Sequence, residues 1–446
     1  MKDDPVVDER PLRRAFGRFA WLLGGRATAA LLTFAALALT ARALGAYDLG
    51  MVVLIHTYAL LVRGLLNFKL FESIVRYGVP ALEDGDATAV RRLIGAAAVL
   101  DALSTLGCAV LVVALAPLAG RVLGWDPQGV SLATAYALPL LFSASGTAKG
   151  ILRLFDRFDT IGRALVVGPV VRLVGVGIAW WNSAGVPGFV WAWAAALAAE
   201  HLVLNLLGWR ELRRKLPGRV LRLPTLHELE ERHPGYWRFL WVVYWQSSLD
   251  LLPKQGATLL AGVFLGPAGA GLFRAATAIS NVLSKSAVML RQAAFPDLTR
   301  LWHRGDKDFE HLYIGVALWV GIPASLVVLA SMAYGESLLA ITLGAEYRQA
   351  AGLLTILLLA ATLELLGASL RPAAYAMGKA GAMLRIQVGA SFAYLIVFVA
   401  GVHWFGLLGP GLAACALMMV SLVGMAGVML RHGRVAMASS RDAGGL

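Results

Sequence analysis

The feature that most constrains this chain is a series of twelve runs of about 20 mostly apolar residues. A helix of that length crosses the hydrocarbon core of a bilayer and satisfies its own backbone hydrogen bonds there. Hydrophobic residues make up 59% of the chain and charged residues 15%, against about 45–50% and 25% in soluble domains. The sequence therefore predicts an all-α integral membrane protein and excludes a water-soluble enzyme. The runs are 19–42, 49–70, 92–116, 130–152, 161–182, 187–208, 239–263, 268–290, 311–333, 350–374, 382–404 and 408–430.

The basic residues lie almost entirely on one side of these spans. With the amino terminus in the cytoplasm, the cytoplasmic tails and loops hold 25 Lys and Arg residues, whereas the outer loops hold only Arg121 and Arg348. This asymmetry predicts that both termini are cytoplasmic. It also accounts for the formal net charge of +13, which indicates attraction to an anionic inner leaflet and not nucleic-acid binding.

A short sequence repeat divides the chain into two halves. Segment 41–55 (ARALGAYDLGMVVLI) resembles segment 262–276 (GVFLGPAGAGLFRAA) at an offset of 221 residues, and each segment joins the first two spans of its half. Six spans per half is an even number, so the halves are expected to be parallel repeats with a binding site at their interface. The expected domains are an N-terminal six-helix lobe (1–208), a cytosolic linker with a short amphipathic helix near 226–231 (209–238), and a C-terminal six-helix lobe (239–446).

Charged residues inside the spans are the candidate functional groups, because a charge in lipid is costly unless it faces water or a partner. The deep cations outnumber the four deep anions, which predicts a positively charged cavity that binds an anion containing phosphate. Arginine suits this role, since it stays charged and binds phosphate through two parallel hydrogen bonds. Snorkelling to the cytosolic interface is the alternative for Arg26 and Lys285. The cations are Arg26, Arg63, Arg172, Lys254, Arg274 and Lys285, and the anions are Asp101, Glu200, Asp250 and Glu364.

One helix face in the seventh span is a candidate for ion coupling. Gln246, Asp250 and Lys254 follow at intervals of four and therefore share a face. We expect Asp250 to take up the driving ion. Gln246 on the same helix face and Asp101 in the third span are the other candidates for ion coupling. An inert Asp250 to Lys254 pair is the alternative, and the membrane potential acting on cavity charges is an equally good energy source.

Signatures of catalysis and of cofactor binding are absent from the sequence. There is no Walker A loop, HExxH motif, GxSxG motif or CxxC pair, and the two cysteines lie in apolar runs. His56 and His201 are interpreted as hydrogen-bonded helix residues and not as metal ligands. We therefore expect no cofactor, no metal site and no enzymatic activity.

Several segments resemble those of a known transporter family. They are 41–50 (ARALGAYDLG), 150–158 (GILRLFDRF), 262–275 (GVFLGPAGAGLFRA), 343–353 (LGAEYRQAAGL) and 371–379 (RPAAYAMGK). Together, and over nearly the whole chain, they resemble the oligosaccharide flippases, the O-antigen and exopolysaccharide repeat-unit translocases of the multidrug/oligosaccharidyl-lipid/polysaccharide flippase superfamily.

The resemblance implies two six-helix lobes around a V-shaped central cavity. Alternating access would carry an undecaprenyl-pyrophosphate-linked repeat unit from the cytoplasmic to the periplasmic leaflet of the bacterial inner membrane, for polysaccharide or lipopolysaccharide biosynthesis. Related lipid II flippases use cavity arginines in the first, second and eighth helices, which by position implies Arg26, Arg63 and Arg274, with Lys254 as a further basic residue. The implied partners are the lipid-linked oligosaccharide, membrane lipids, a polysaccharide polymerase and glycosyltransferases.

Two other functions stay open at this point. A cation-coupled multidrug exporter of the same superfamily would need a carboxylate-lined cavity, which Asp101 and Asp250 could supply. A membrane polysaccharide polymerase or ligase would generally need a sizeable outer loop, and the outer loops of this chain are short.

Overall fold

The structure, a computed structural model, is helical throughout the part of the chain that it describes. This part comprises residues 9–218, 226–249, 251, 255–304, 308–377 and 379–443, with side chains from 24 to 429 except 226–227, 246, 249, 288–314, 316, 372, 375–376 and 380. The α-helices are α1 (Glu9–Leu65), α2 (Leu70–Glu83), α3 (Ala87–Leu123), α4 (Pro127–Ala135), α5 (Ala137–Leu140), α6 (Gly146–Leu154), α7 (Phe158–Trp181), α8 (Gly185–Lys215), α9 (Leu226–Arg232), α10 (Tyr236–Leu249), α11 (Ala257–Arg304), α12 (Asp308–Thr342), α13 (Ala351–Leu366), α14 (Leu370–Ala376), α15 (Ala380–Phe405) and α16 (Gly409–Ala443). Short 3₁₀ turns cover Leu141–Ser143, Ala345–Ala350 and Gly406–Leu408.

Nine helical stretches in the described residues are long and apolar enough to cross a membrane. Two of them, Gly24–Glu83 and Gly381–Met429, each cover most of two of the twelve expected spans, because only a short break in the helix separates the two spans there. The expected span 239–263 includes residues outside the described part of the chain. The all-α, multi-pass class predicted from the sequence is thus confirmed.

Large apolar side chains cover the outer faces of these helices. On α3, for example, Leu103, Leu106 and Val110 are each more than half exposed. A soluble monomer rarely exposes such continuous apolar surface, whereas a helix against lipid must do so.

By contacts, the chain divides into two compact units. The first comprises Met1–Leu44 and Met51–Val263, and the second comprises Gly45–Gly50 and Phe264–Leu446. The six residues from Gly45 to Gly50 thus belong to the second unit, and α10 belongs to the first. The expected lobe boundaries at 208 and 238 rest on the sequence repeat and stay a prediction.

A hydrophobic core at one end of the first unit ties α10 to the helices before it. Leu70, Ile74, Leu93 and Tyr236 are all at most 2% exposed in this core. The ring of Phe68 stacks on Tyr244 of α10 at a centroid distance of 5.0 Å. Aromatic packing therefore fixes α10 against α2, and the short helix α9 lies where the amphipathic helix was expected.

The fourth expected span is interrupted in the middle. Instead of one helix over 130–152, the chain forms α4, α5 and a 3₁₀ turn, and then starts a new helix at Gly146. The residues at the break are Ser143, Ala144 and Ser145, and the backbone N–H of Ser145 donates to the carbonyl of Ser143 at 2.8 Å. A break within a span needs polar neighbours, since there is no water in lipid to satisfy the backbone.

The two copies of the sequence repeat share one backbone feature. Gly45 interrupts α1 with φ 75° and ψ −178°, and Gly266 interrupts α11 with φ 70° and ψ −177°. This combination of angles is essentially restricted to glycine. The break exposes the N–H of Ala46, which donates to the carboxylate of Glu346 at 3.0 Å. At the other copy the next residue is Pro267, which has no N–H to satisfy.

The segments after the two breaks also contact each other reciprocally within the second unit. A Cβ on Gly50 would lie 1.8 Å from the carbonyl oxygen of Pro267, and a Cβ on Gly271 would lie 2.1 Å from that of Ala46. Residues 50 and 271, like 46 and 267, are related by the 221-residue repeat offset. We call this pair of contacts the glycine clasp.

Candidate functional site

Five charged side chains from five different helices lie together in the spans of the first unit. Arg63 comes from α1, Asp101 from α3, Lys149 from α6, Arg172 from α7 and Glu200 from α8. All five are partly buried. The three cations and two carboxylates make a mixed cluster with an excess of positive charge, which we call the charged cluster.

Arg63 lies at the interrupted span. Its Nη2 donates to the carbonyl oxygen of Ser143 at 3.2 Å, as a second hydrogen bond to a group that also accepts from the Ser145 N–H. The carboxylates of Glu200 and Asp101 are close enough to interact electrostatically with its guanidinium. This arginine is therefore turned towards the interior of the first unit, and its role as a cavity cation stays a prediction.

Asp101 is held at the start of α6. Its Oδ2 accepts a hydrogen bond of 2.8 Å from the backbone N–H of Thr147. An anion is stabilised at a helix N-terminus, where backbone N–H groups lack partners within the helix. One function of Asp101 is thus to cap the helix that follows the break.

Lys149 and Glu200 complete the centre of the charged cluster. Lys149 interacts electrostatically with Arg63, Glu200 and Asp101. Gly168 of α7 leaves room for Glu200, because a Cβ there would lie 2.8 Å from the Glu200 Oε2 atom. The glycine lets the carboxylate lie against α7.

Arg172 lies over an aromatic wall. Its guanidinium carbon is 4.5 Å from the ring centroid of Trp193, a cation–π distance. The His56 ring meets Trp193 edge to face at 5.1 Å and hydrogen-bonds through Nδ1 to the hydroxyl of Tyr136 at 2.6 Å. Among the described residues, the Arg172 Nε atom is buried with no hydrogen-bond partner. A guanidinium with a vacant donor inside a span is suited to an anion.

The two histidines of the spans are hydrogen-bonded, as the sequence analysis interpreted them. His56 contacts Tyr136, and His201 Nδ1 lies 2.7 Å from the hydroxyl of Ser145 at the helix break. Among the described residues, no three His, Cys, Asp or Glu side chains are grouped so that they could hold a metal ion.

The other candidates are placed differently. Arg26 and Lys285 have exposed side chains, which is the arrangement of the snorkelling alternative. Arg274 is half-buried on α11 of the second unit. Asp250, Lys254 and the side chain of Gln246 lie outside the described residues.

Lys149 was missed by sequence reasoning, and Glu200 was noted only as a deep anion. Lys149 falls near the end of the expected span 130–152, where a lysine normally reaches the interface. The polar run Ser143, Ser145 and Thr147 within an apolar stretch was the available signal, because polar residues inside a span mark an interruption or a partner.

Comparison with known proteins gives one family and one fold. Residues 18–302 match the family described as polysaccharide biosynthesis protein. The inner membrane protein YghQ of Escherichia coli (strain K12) is 31% identical over 335 residues, which is 74% of this chain and 93% of that protein.

Solved structures of transport proteins share the fold. An inward-facing multidrug resistance MATE family transporter of the MOP superfamily superposes with a TM-score of 0.68 at 17% identity, covering 93% of this chain and 95% of that one. The lipid II flippase MurJ, in an inward closed conformation, gives 0.69 at 12% identity, covering 91% and 86%. These relatives are transport proteins and not enzymes. With more than half of its residues matched, the chain belongs to the polysaccharide biosynthesis protein family, and its fold is that of MOP-superfamily transporters.

Proposed function

We propose that this protein is a flippase for an undecaprenyl-pyrophosphate-linked oligosaccharide repeat unit, moved from the cytoplasmic to the periplasmic leaflet of the bacterial inner membrane by alternating access. The match to the polysaccharide biosynthesis family supports a role in polysaccharide synthesis. The relative named an inner membrane protein supports a location in the bacterial inner membrane. The distribution of Lys and Arg supports cytoplasmic termini.

The observation that carries the proposal is the charge of the cluster in the first unit. Arg63, Lys149 and Arg172 place three cations within spans, against only two carboxylates, one of which already binds the Thr147 amide. A pyrophosphate would supply the missing negative charge, and guanidinium groups bind its oxygens in pairs. The isoprenoid tail would stay in lipid.

The remaining candidates are part of the same proposal. Arg26, Arg274, Lys254 and Lys285 would contact the pyrophosphate or glycan at other stages of transport, between lobes 1–208 and 239–446 joined by the linker 209–238. Ion coupling also stays a prediction, with Asp250, Gln246 and Asp101 as its candidate residues. So does cooperation with a polymerase and glycosyltransferases.

The test is complementation of a deletion strain, with surface polysaccharide as the readout. Arg63→Ala and Lys149→Ala are expected to abolish or strongly reduce export at normal protein levels. Arg121→Ala, at an exposed arginine near the end of α3, is the matched control and should export normally. Unchanged export in both cluster variants would contradict the phosphate-binding role.

Two further measurements separate the alternatives. A multidrug exporter predicts that the deletion strain becomes sensitive to cationic drugs while its surface polysaccharide is normal. A polymerase or ligase predicts bond formation between repeat units by the purified protein. Either result would replace the flippase proposal.

A further inference from the structure

A second basic site lies outside the charged cluster, at the end of the first unit where α6 ends, α7 begins and α8 ends. It is a cavity of about 270 Å³ lined by four arginines, two leucines, a threonine and a glutamate. That volume is below the range of about 300–1,000 Å³ typical of drug-sized ligands, so it is too small for an oligosaccharide. The four arginines are Arg157, Arg163, Arg210 and Arg214, and the glutamate is Glu211.

Two carboxylates, those of Asp159 and Glu211, form ion pairs with arginines of this cavity. Arg157 contacts Asp159 at 3.2 Å and Glu211 at 3.0 Å, and the Asp159 hydrogen bond holds the pKa of Arg157 above its usual value. Arg163 and Arg214 approach the same two carboxylates only at 3.7 and 3.4 Å, and both side chains are about two-thirds exposed. Among the described residues, the four guanidinium groups that line the cavity outnumber these two carboxylates.

The position of the cavity along the helices corresponds to a headgroup layer. Helix α7 has 24 residues, about 36 Å at 1.5 Å per residue, which spans the hydrocarbon core of about 30 Å and reaches both interfaces. Its far end carries Trp180 and Trp181, 57% and 89% exposed, as expected for an interfacial aromatic belt. The arginines near the other end therefore lie at the opposite interface.

Apolar stripes on α7 and α8 lead from the lipid region to the arginines. On α7, exposed Val170, Val174 and Ile178 follow Arg163 at intervals that keep one helix face. On α8, exposed Leu202 and Leu206 precede Arg210 in the same way. The two helices pack along a shared core that includes Ile161, Ala164 and Leu204. A lipid lying on them would have its chains on the stripes and its phosphate at the arginines.

We infer that this cavity binds the headgroup phosphate of an anionic phospholipid. The leaflet assignment rests on the orientation proposed above, whereas the binding itself does not. The geometry matches a lipid and not a free ion, because the apolar stripes continue directly from the basic cavity. Basic pockets between membrane helices on the cytoplasmic side are suited to anionic headgroups.

The experiment measures lipid binding to the purified, detergent-solubilised protein by native mass spectrometry. Palmitoyl-oleoyl-phosphatidylglycerol is expected to bind more tightly than palmitoyl-oleoyl-phosphatidylcholine, and millimolar inorganic phosphate should not displace it. Equal binding of the two lipids would overturn the inference. Displacement by phosphate would do so as well, since it would make the cavity a site for free anions.

A double variant localises the site. Arg163→Gln with Arg214→Gln is expected to weaken phosphatidylglycerol binding about 25-fold, about fivefold for each basic residue removed. Both side chains are exposed, so the fold should be retained. The control removes the same charge elsewhere, at exposed Arg121 and Arg348, and should leave binding unchanged. Unaltered binding in the first double variant would overturn the inference. No transport is measured, so these outcomes are independent of the flippase proposal.

Discussion

Replacing a glycine of the glycine clasp by alanine is expected to destabilise the protein, whereas the same substitution usually stabilises a helix. In a helix interior the substitution of glycine by alanine ordinarily stabilises the protein by about 1 kcal/mol, because alanine reduces the conformational entropy of the unfolded chain. In Gly271→Ala, however, the new Cβ would lie 2.1 Å from the carbonyl oxygen of Ala46 and 3.1 Å from the amide nitrogen of Gly50. Even weak C–H···O contacts need about 3.3 Å, so the two backbones would have to separate by about 1 Å.

Neither contacting atom can rotate away, since both belong to helix backbone. Overpacking of this kind typically costs about 1–3 kcal/mol. We therefore expect Gly271→Ala to be less stable than the native protein, with Gly50→Ala at least as damaging because its Cβ would lie 1.8 Å from the Pro267 oxygen. The measurement is the apparent melting temperature of the detergent-purified protein. It is read from the fraction of protein that still elutes as a monodisperse peak on size exclusion after heating.

Two controls separate collision from backbone strain. Gly427→Ala places a Cβ with no atom of a described residue within 4 Å, so it should be neutral or slightly stabilising. Gly266→Ala likewise brings its Cβ within 4 Å of no atom in the described part of the chain but requires φ +70°, so it should cost about 1–3 kcal/mol through strain alone. If Gly271→Ala melts at the same temperature as Gly427→Ala, the close approach of the two repeat segments is wrong.

Three further predictions concern single contacts. Glu346→Ala removes the acceptor of the Ala46 N–H and should cost about 1 kcal/mol, as loss of a helix cap does. Its melting temperature should be lower than that of Glu336→Ala, which removes an exposed carboxylate on α12. Trp193→Leu removes the ring under Arg172 and should destabilise the protein by about 2 kcal/mol in the same assay, whereas Trp191→Leu on the exposed face should not. Burial, and then Arg232, lower the pKa of His233 below 6.5, so its neutral form stabilises the fold above about that pH and this contribution is lost as the pH falls towards the folded-state value. The protection factors for hydrogen exchange in the turn between α9 and α10, which correct for the intrinsic pH dependence of exchange, should therefore fall from pH 7.5 to 5, and His233→Phe should remove this fall.

The charged cluster shows how far sequence reasoning reaches at a membrane site. Arg63 and Arg172 could be recognised because a charge in the middle of an apolar run is costly and needs a reason. Lys149 could not, because its depth depends on where the fourth span breaks, and that break is stabilised by Arg63 from another helix. The pairing of Asp101 with the start of α6 likewise joins residues 46 positions apart. Neither periodicity nor composition carries such information.

The sequence by itself determined the membrane class, the helical content and the repeat, because each follows from local properties: the length of apolar runs, the cost of unpaired backbone in lipid, and the recurrence of a glycine segment. The equal dihedral angles at Gly45 and Gly266 were implicit in that repeat, since glycine adopts them at no steric cost. Only the tertiary structure decided which unit α10 and residues 45–50 pack into, and which charges meet. Those outcomes depend on aromatic stacking, close backbone approach and partial neutralisation between helices far apart in the chain.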